Sequence, residues 1–169
     1  MQNKIVFALV SLLTQTVFAS ALPVPAPGNF PLANLIAVYD LVKCSNPNFE
    51  YKVRPSIFLD GSENEFSART TDDDGRVGPT FSIMFQVNKG PQRDSRSELT
   101  TYTTNNGIFL QEVRRIGFFK NDTFQEIFSL DNKGILKFEM NDIINSDKST
   151  LSHVDCTFTR TNKPLPTVY

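Results

Sequence analysis

The residues best suited to chemistry in this chain are Glu112, Arg114 and His153. A carboxylate and a guanidinium two positions apart on a strand share one face, where they could serve as base and phosphate clamp in RNA cleavage. His153 is the single histidine, so a nucleophile–His hydrolase has one candidate shuttle and a zinc site of several His is excluded. Attack by a ribose hydroxyl calls for both a base and an acid, and Arg is a poor acid because it stays protonated. His153, just before Cys156, reads as a strand position. The sequence therefore predicts no catalytic residue, with Glu112, Arg114 and His153 as the set to consider if the protein is an enzyme. Arg114 and Arg115 have a plainer reading as solvent-facing partners of nearby acids.

Other chemistries find little footing. Glu98, Glu112, Glu126 and Glu139 all fall on strand candidates, which leaves a glycosidase-type carboxylate pair open but singles out no two of them. The eight glycines are scattered through turns rather than gathered in a phosphate-cradling loop. Asp72-Asp73-Asp74-Gly75 reads as a solvated turn, since the later ligands of a calcium loop are missing. No cofactor and no metal is expected.

The elements that must position these residues are mainly strands. Phe81 to Val87 alternates with apolar residues on one face, as does Ile135 to Met140 in part. Further strands are predicted over Phe49–Val53, Glu98–Thr103, Ile108–Val113, Phe124–Leu130 and Val154–Thr159. Asn106-Gly107 and Asn132-Lys133-Gly134 punctuate them as hairpin turns. Ser62-Glu63-Asn64-Glu65 fits a capping box and predicts one short helix with Phe66 facing inward. Ile36–Val42 suits either a strand or a second short helix. The fold class is α+β, an antiparallel sheet with one short helix, with an all-β sandwich as the alternative. Fifteen Phe and no Trp predict a core built on Phe.

The N-terminus bears on compartment. Lys4, the apolar run Ile5–Leu13 and Ala19-Ser20-Ala21 have the order of a secretory signal peptide over residues 1–21. The run is about half the roughly 20 residues of a membrane span, and no later stretch reaches that length. Residues 22–33 form a proline-rich extended arm, 34–160 a single disulfide-closed β-rich domain, and 161–169 a tail. In a secreted chain the two cysteines, Cys44 and Cys156, are expected to pair. Asn121-Asp122-Thr123 is a glycosylation sequon at Asn121. Removing Lys4 takes the seventeen Lys and Arg to sixteen against eighteen Asp and Glu, which argues against bulk-charge binding of nucleic acid.

The layout resembles a family. Tyr39 and Cys44, the Ser62 capping box, the strands between Thr80 and Met140, and Asp155-Cys156-Thr157-Phe158 follow the order of small secreted fungal effectors of the ribonuclease-like class. Those proteins close an antiparallel sheet with one disulfide, and one lone histidine cannot supply their ancestral acid and base. The resemblance implies a ribonuclease-like fold and a secreted, monomeric, non-catalytic virulence effector, extracellular at first and able to enter host cells. Its implied partner is a host protein, or more weakly RNA. The arm at 22–33 is similar instead to the pro-segment of two-cysteine β-sandwich toxins. The alternative function is a secreted hydrolase, either an atypical ribonuclease or a carbohydrate-active enzyme.

Overall fold

Chain order alternates short turns with strands, and the computed structural model describes residues 24–62, 64–72, 74–116, 121–144 and 149–166, leaving aside the side chains of 144 and 149–151. The strands are β1 (Ala37–Cys44), β2 (Ser56–Ser62), β3 (Glu65–Thr71), β4 (Val77–Phe85), β5 (Gln92–Arg93), β6 (Ser97–Thr103), β7 (Gly107–Arg115), β8 (Asn121–Leu130), β9 (Ile135–Ile144) and β10 (Ser149–Arg160). Among the described residues one α-helix, α1 (Pro47–Val53), follows β1, and a single 3₁₀ turn at Leu32–Asn34 precedes β1. The strands form one antiparallel sheet in the order β4-β3-β2-β1-β10-β9-β8-β7-β6-β5. Neighbours in space are neighbours in sequence except at β1 and β10, where the two ends of the domain meet. The antiparallel sheet with one short helix is as expected, and its dominance fits the all-β alternative to the α+β class, here as one continuous sheet.

That sheet curls onto itself. Phe66 on β3 lies 5.1 Å from Phe128 on β8, ring centre to ring centre, although four strands separate them in the ladder order β3-β2-β1-β10-β9-β8. Beyond β4 the chain crosses over, with Val87 N donating to Asn64 O and Asn88 N to Thr101 O of β6. The enclosed face holds Phe66, Phe128, Phe138, Phe158 and Tyr39, all fully buried, so the Phe-built core is as expected. Aromatic rings in edge-to-face and offset contact stabilise such a core beyond the area they bury.

Helix α1 caps this interior, and its place corrects the sequence reading twice. Phe49–Val53, expected as a strand, is helical because Asn46 Oδ1 accepts from the Asn48 and Phe49 amides and Pro47 occupies the first turn. Phe49 drops its ring onto Phe138 at 5.4 Å and Phe81 at 5.7 Å. Ser62 and Glu65, expected to begin a helix, face each other across the β2–β3 hairpin instead. A Cβ at Gly61 would lie 2.7 Å from Glu65 O, so this close backbone approach needs glycine. Phe66 points inward as expected. The ambiguous Ile36–Val42 stretch is strand β1.

A third correction concerns β4. Alternation placed Phe81, Ile83, Phe85 and Val87 on one face; Phe81 and Val87 do pack inward, yet Ser82 and Met84 are buried while Ile83 and Phe85 stay 43% and 47% exposed. The cause is a register shift against β3, where Ala68 faces Ser82 and Arg69 faces Thr80. The irregularity leaves Phe81 without a direct partner and sends both Phe81 and Ser82 inward, as β-bulges beside sites commonly do.

Cys44 and Cys156 are bonded, and they are register partners on β1 and β10 with Cα atoms 4.1 Å apart. The bridge spans 112 positions and locks the one pairing that sequence proximity does not help. Residues 24–30 run extended beside β6, with Gly28 N bonded to Thr103 O and the Tyr102 hydroxyl donating to Pro25 O. The Asn106-Gly107 and Asn132–Gly134 turns join β6 to β7 and β8 to β9 as expected. Asp72 accepts from the Arg76 amide and Gly75 takes φ +78°, as in a turn; Asp73 and residues 1–21, where a signal peptide is expected, lie outside the described residues. Among the described residues, no helix is long and apolar enough to cross a membrane.

Candidate functional site

Strands β7, β8 and β9 bring their alternate residues onto the enclosed face. Register pairs Glu112 with Phe124, Arg114 with Asp122, Leu110 with Glu126, and Phe124 with Asp142. Glu112 and Arg114 thus share that face, as their spacing implied. His153 does not join them. It pairs with Asn141 on the opposite face, its Nδ1 2.6 Å from Asn141 Oδ1. Glu98 and Glu139 also face outward, Glu98 bonding Arg93 at 2.6 Å. Of the four strand glutamates, the fold selects Glu112 and Glu126.

Arg114 is 40% exposed and pairs with nearby acids, as in the plainer reading, but it does so from the enclosed face. Its Nη2 lies 3.0 Å from Asp122 Oδ2 and 3.6 Å from Asp142 Oδ1, while its Nε is 3.8 Å from Glu112 Oε2. The guanidinium carbon sits 5.7 Å from the centre of the Phe124 ring. One cation therefore holds three carboxyl groups. Burial, together with the adjoining Asp122 carboxyl, pushes Asp142 up to about 6, against the pull of Arg114.

Glu126 is the deeper group. It is 3% exposed, and its Oε2 accepts from the Ser82 hydroxyl at 2.5 Å across the interior. Burial pushes its carboxyl up to about 7, only partly offset by that bond. Glu126 and Glu112 are diagonal neighbours on the β7–β8 pair, a placement that puts such residues about 7–8 Å apart.

Both open onto one cleft of about 450 Å³, at the seam where edge strand β4 faces β5 and β6. Its floor carries Leu99, Leu110 and Phe124, and its rim Ser97, Arg93 and Gln92. Asp94, beside them, is spent on its own turn: it accepts from the Arg96 and Ser97 amides and the Ser97 hydroxyl, which hold its carboxyl below the usual range. The Nε2 of Gln92 is buried without a protein hydrogen-bond partner. Among the described residues, no group of three or more His, Cys, Asp and Glu is arranged to hold a metal ion.

Asn121 opens β8 and is exposed, beside Arg115. Ser82, Gln92, Asp122 and Asp142 were not singled out from sequence. Asp142 escaped because β9 runs four residues beyond the Met140 at which its apolar alternation fades. Comparison with protein-family models and with curated proteins finds no match.

Proposed function

We propose that this chain is a secreted, non-catalytic binding module of the effector kind, acting on a host protein. The observation that supports this reading is the separation of His153 from Glu112 and Arg114 by the thickness of the sheet. RNA cleavage needs a base and an acid at one phosphate, and each contributes about 10²–10⁴-fold. Arg114, already shared among three carboxyl groups, is a poor phosphate clamp. RNA is correspondingly a weak partner: the cleft guanidinium of Arg93 is bonded to Glu98, and the chain carries a net charge of −1. A protein partner has a surface to cover in Ile83, which also lines the cleft, and Phe85, both exposed on edge strand β4.

The test has two arms. Purified protein incubated with single-stranded RNA is expected to leave it intact, and cleavage abolished by both His153→Ala and Glu112→Gln would overturn the reading. Affinity capture from host extract should lose its partner on Ile83→Asp and Phe85→Asp.

A second reading, a secreted glycoside hydrolase, is favoured by one observation. Glu112 and Glu126 share a cleft, and Glu126 is held near neutrality, as a general acid must be. Release of reducing ends from oligosaccharides, lost in Glu126→Gln, would establish it in place of the first.

A further inference from the structure

We infer that the seam cleft between β4 and β5–β6 is a carbohydrate-binding site, receiving a short neutral glycan against Gln92, Glu112 and the Ser82–Glu126 pair. The inference rests on the binding-module reading and names the chemistry of the partner. The cleft, at about 450 Å³, falls within the roughly 300–1,000 Å³ of small-molecule sites.

Its hydrogen-bonding groups decide the ligand class. Gln92 Nε2 is a buried donor with no protein acceptor, a costly state until an acceptor arrives. Glu112 presents the opposite need, a carboxylate that accepts and cannot donate. An anionic ligand would meet Glu112, whose partner Arg114 is shared with Asp122 and Asp142, and the one cleft guanidinium, Arg93, is taken by Glu98. An ammonium ligand would suit Glu112 but bring no acceptor for Gln92. A hydroxyl does both, donating to one group and accepting from the other. The apolar floor of Leu99, Leu110 and Phe124 then matches the C–H face of a pyranose ring. A host glycoprotein and a free oligosaccharide offer the same chemistry.

The experiment is calorimetric titration of the whole secreted protein with four neutral tetrasaccharides: chitotetraose, cellotetraose, laminaritetraose and mannotetraose. A high-mannose glycoprotein, before and after enzymatic removal of its glycans, is run in parallel. Saturable binding is expected for at least one tetrasaccharide, and Gln92→Ala and Glu112→Gln should each weaken it by about tenfold, the loss of one hydrogen bond. Lys133→Ala, on the distant β8–β9 turn, should leave it unchanged. Near-ultraviolet circular dichroism of each variant separates lost binding from lost fold. Capture of the glycosylated form alone assigns the ligand to glycoproteins, and equal binding of free sugars assigns it to the glycan itself. No binding up to about 5 mM, or binding indifferent to both cleft variants, overturns the inference. Cleavage of a bound glycan would instead overturn the non-catalytic reading while upholding the ligand class. A host protein captured through Phe85, outside the cleft, with no glycan bound would leave that reading standing and sink this one.

Discussion

The Ser82 hydroxyl on β4 donates to Oε2 of Glu126 on β8 at 2.5 Å, joining two strands that the hydrogen-bond ladder keeps at a distance. Ser82 reaches that position only because the irregularity opposite Ala68 and Arg69 turns two consecutive residues inward. The bond ties the edge strand to the middle of the sheet at the floor of the cleft. It also sets how the fold responds to pH.

Burial pushes the Glu126 carboxyl from its ordinary 4.5 up to about 7, so the native state binds the proton more tightly than the unfolded one. The stability this carries is fully present below pH 4.5 and is lost as pH rises through 7. The shift corresponds to about 3 kcal/mol. Glu126→Gln keeps the shape and the bond to Ser82 without a charge. Urea unfolding from pH 4 to 9 should show the native protein weakening across this window and the variant nearly flat. A native profile with no fall between pH 5 and 8 would rule the account out.

Arg114 predicts a second pH dependence, of opposite consequence on mutation. Replacing it with Met leaves Asp122, which is 8% exposed, beside Asp142 with no cation between them. Removing one partner of a fully buried charge set costs about 3–5 kcal/mol; Arg114 is 40% exposed, so about 1–3 is expected here. The loss should be largest above pH 6, where Asp142 is ionised, and smaller at pH 5. Adding Asp142→Asn should recover part of it. Equal losses at pH 5 and pH 8 would contradict the arrangement.

The sheet, the hairpin turns, the disulfide and the Phe core were legible because each depends on local pattern or on composition. The helix was misplaced because a serine followed by a glutamate is also an acceptable hairpin, and the tight Gly61–Glu65 approach decided between them. The better cue was Asn46-Pro47, a cap followed by a first-turn proline. The Glu112–Glu126 pair was not legible, since choosing among four strand glutamates requires inter-strand register. His153 was correctly read as a strand residue, but only the ladder shows that it faces away from Glu112. The outward turn of Ile83 and Phe85 could not be read at all, because the irregularity that causes it has no signature in Phe81-Ser82-Ile83.

Gly107 should tolerate no side chain. A Cβ there would lie 1.9 Å from Phe128 O, on the backbone of the neighbouring strand rather than a side chain that could swing away. Relief requires β7 and β8 to part at the Asn106-Gly107 turn. Gly107→Ala should therefore destabilise by about 1–3 kcal/mol or more, the range of overpacked interiors. Gly90→Ala provides the contrast: its Cβ meets nothing within 4 Å, and its cost comes only from φ +81°. Thermal melts placing the two variants in the reverse order would refute the steric argument.

The last prediction concerns the bridge between β1 and β10. Every other neighbouring pair of strands is joined by a short connection, and only this pairing must be found across the whole domain. Chain-entropy models give closure of such a long loop about 4–5 kcal/mol, comparable with the net stability of a typical domain. Cys44→Ser with Cys156→Ser should thus leave a chain that is marginally folded at best. The lost order should begin at β1 and β10, since these strands lose the link that holds them together. Intact mass of the native protein should rise by two hydrogens on reduction, and no thiol should alkylate beforehand. Hydrogen exchange in the double variant should quicken first in Ala37–Cys44 and in the Cys156 half of β10. Uniform protection with an unchanged melting temperature would show that the β1–β10 ladder holds without the bond.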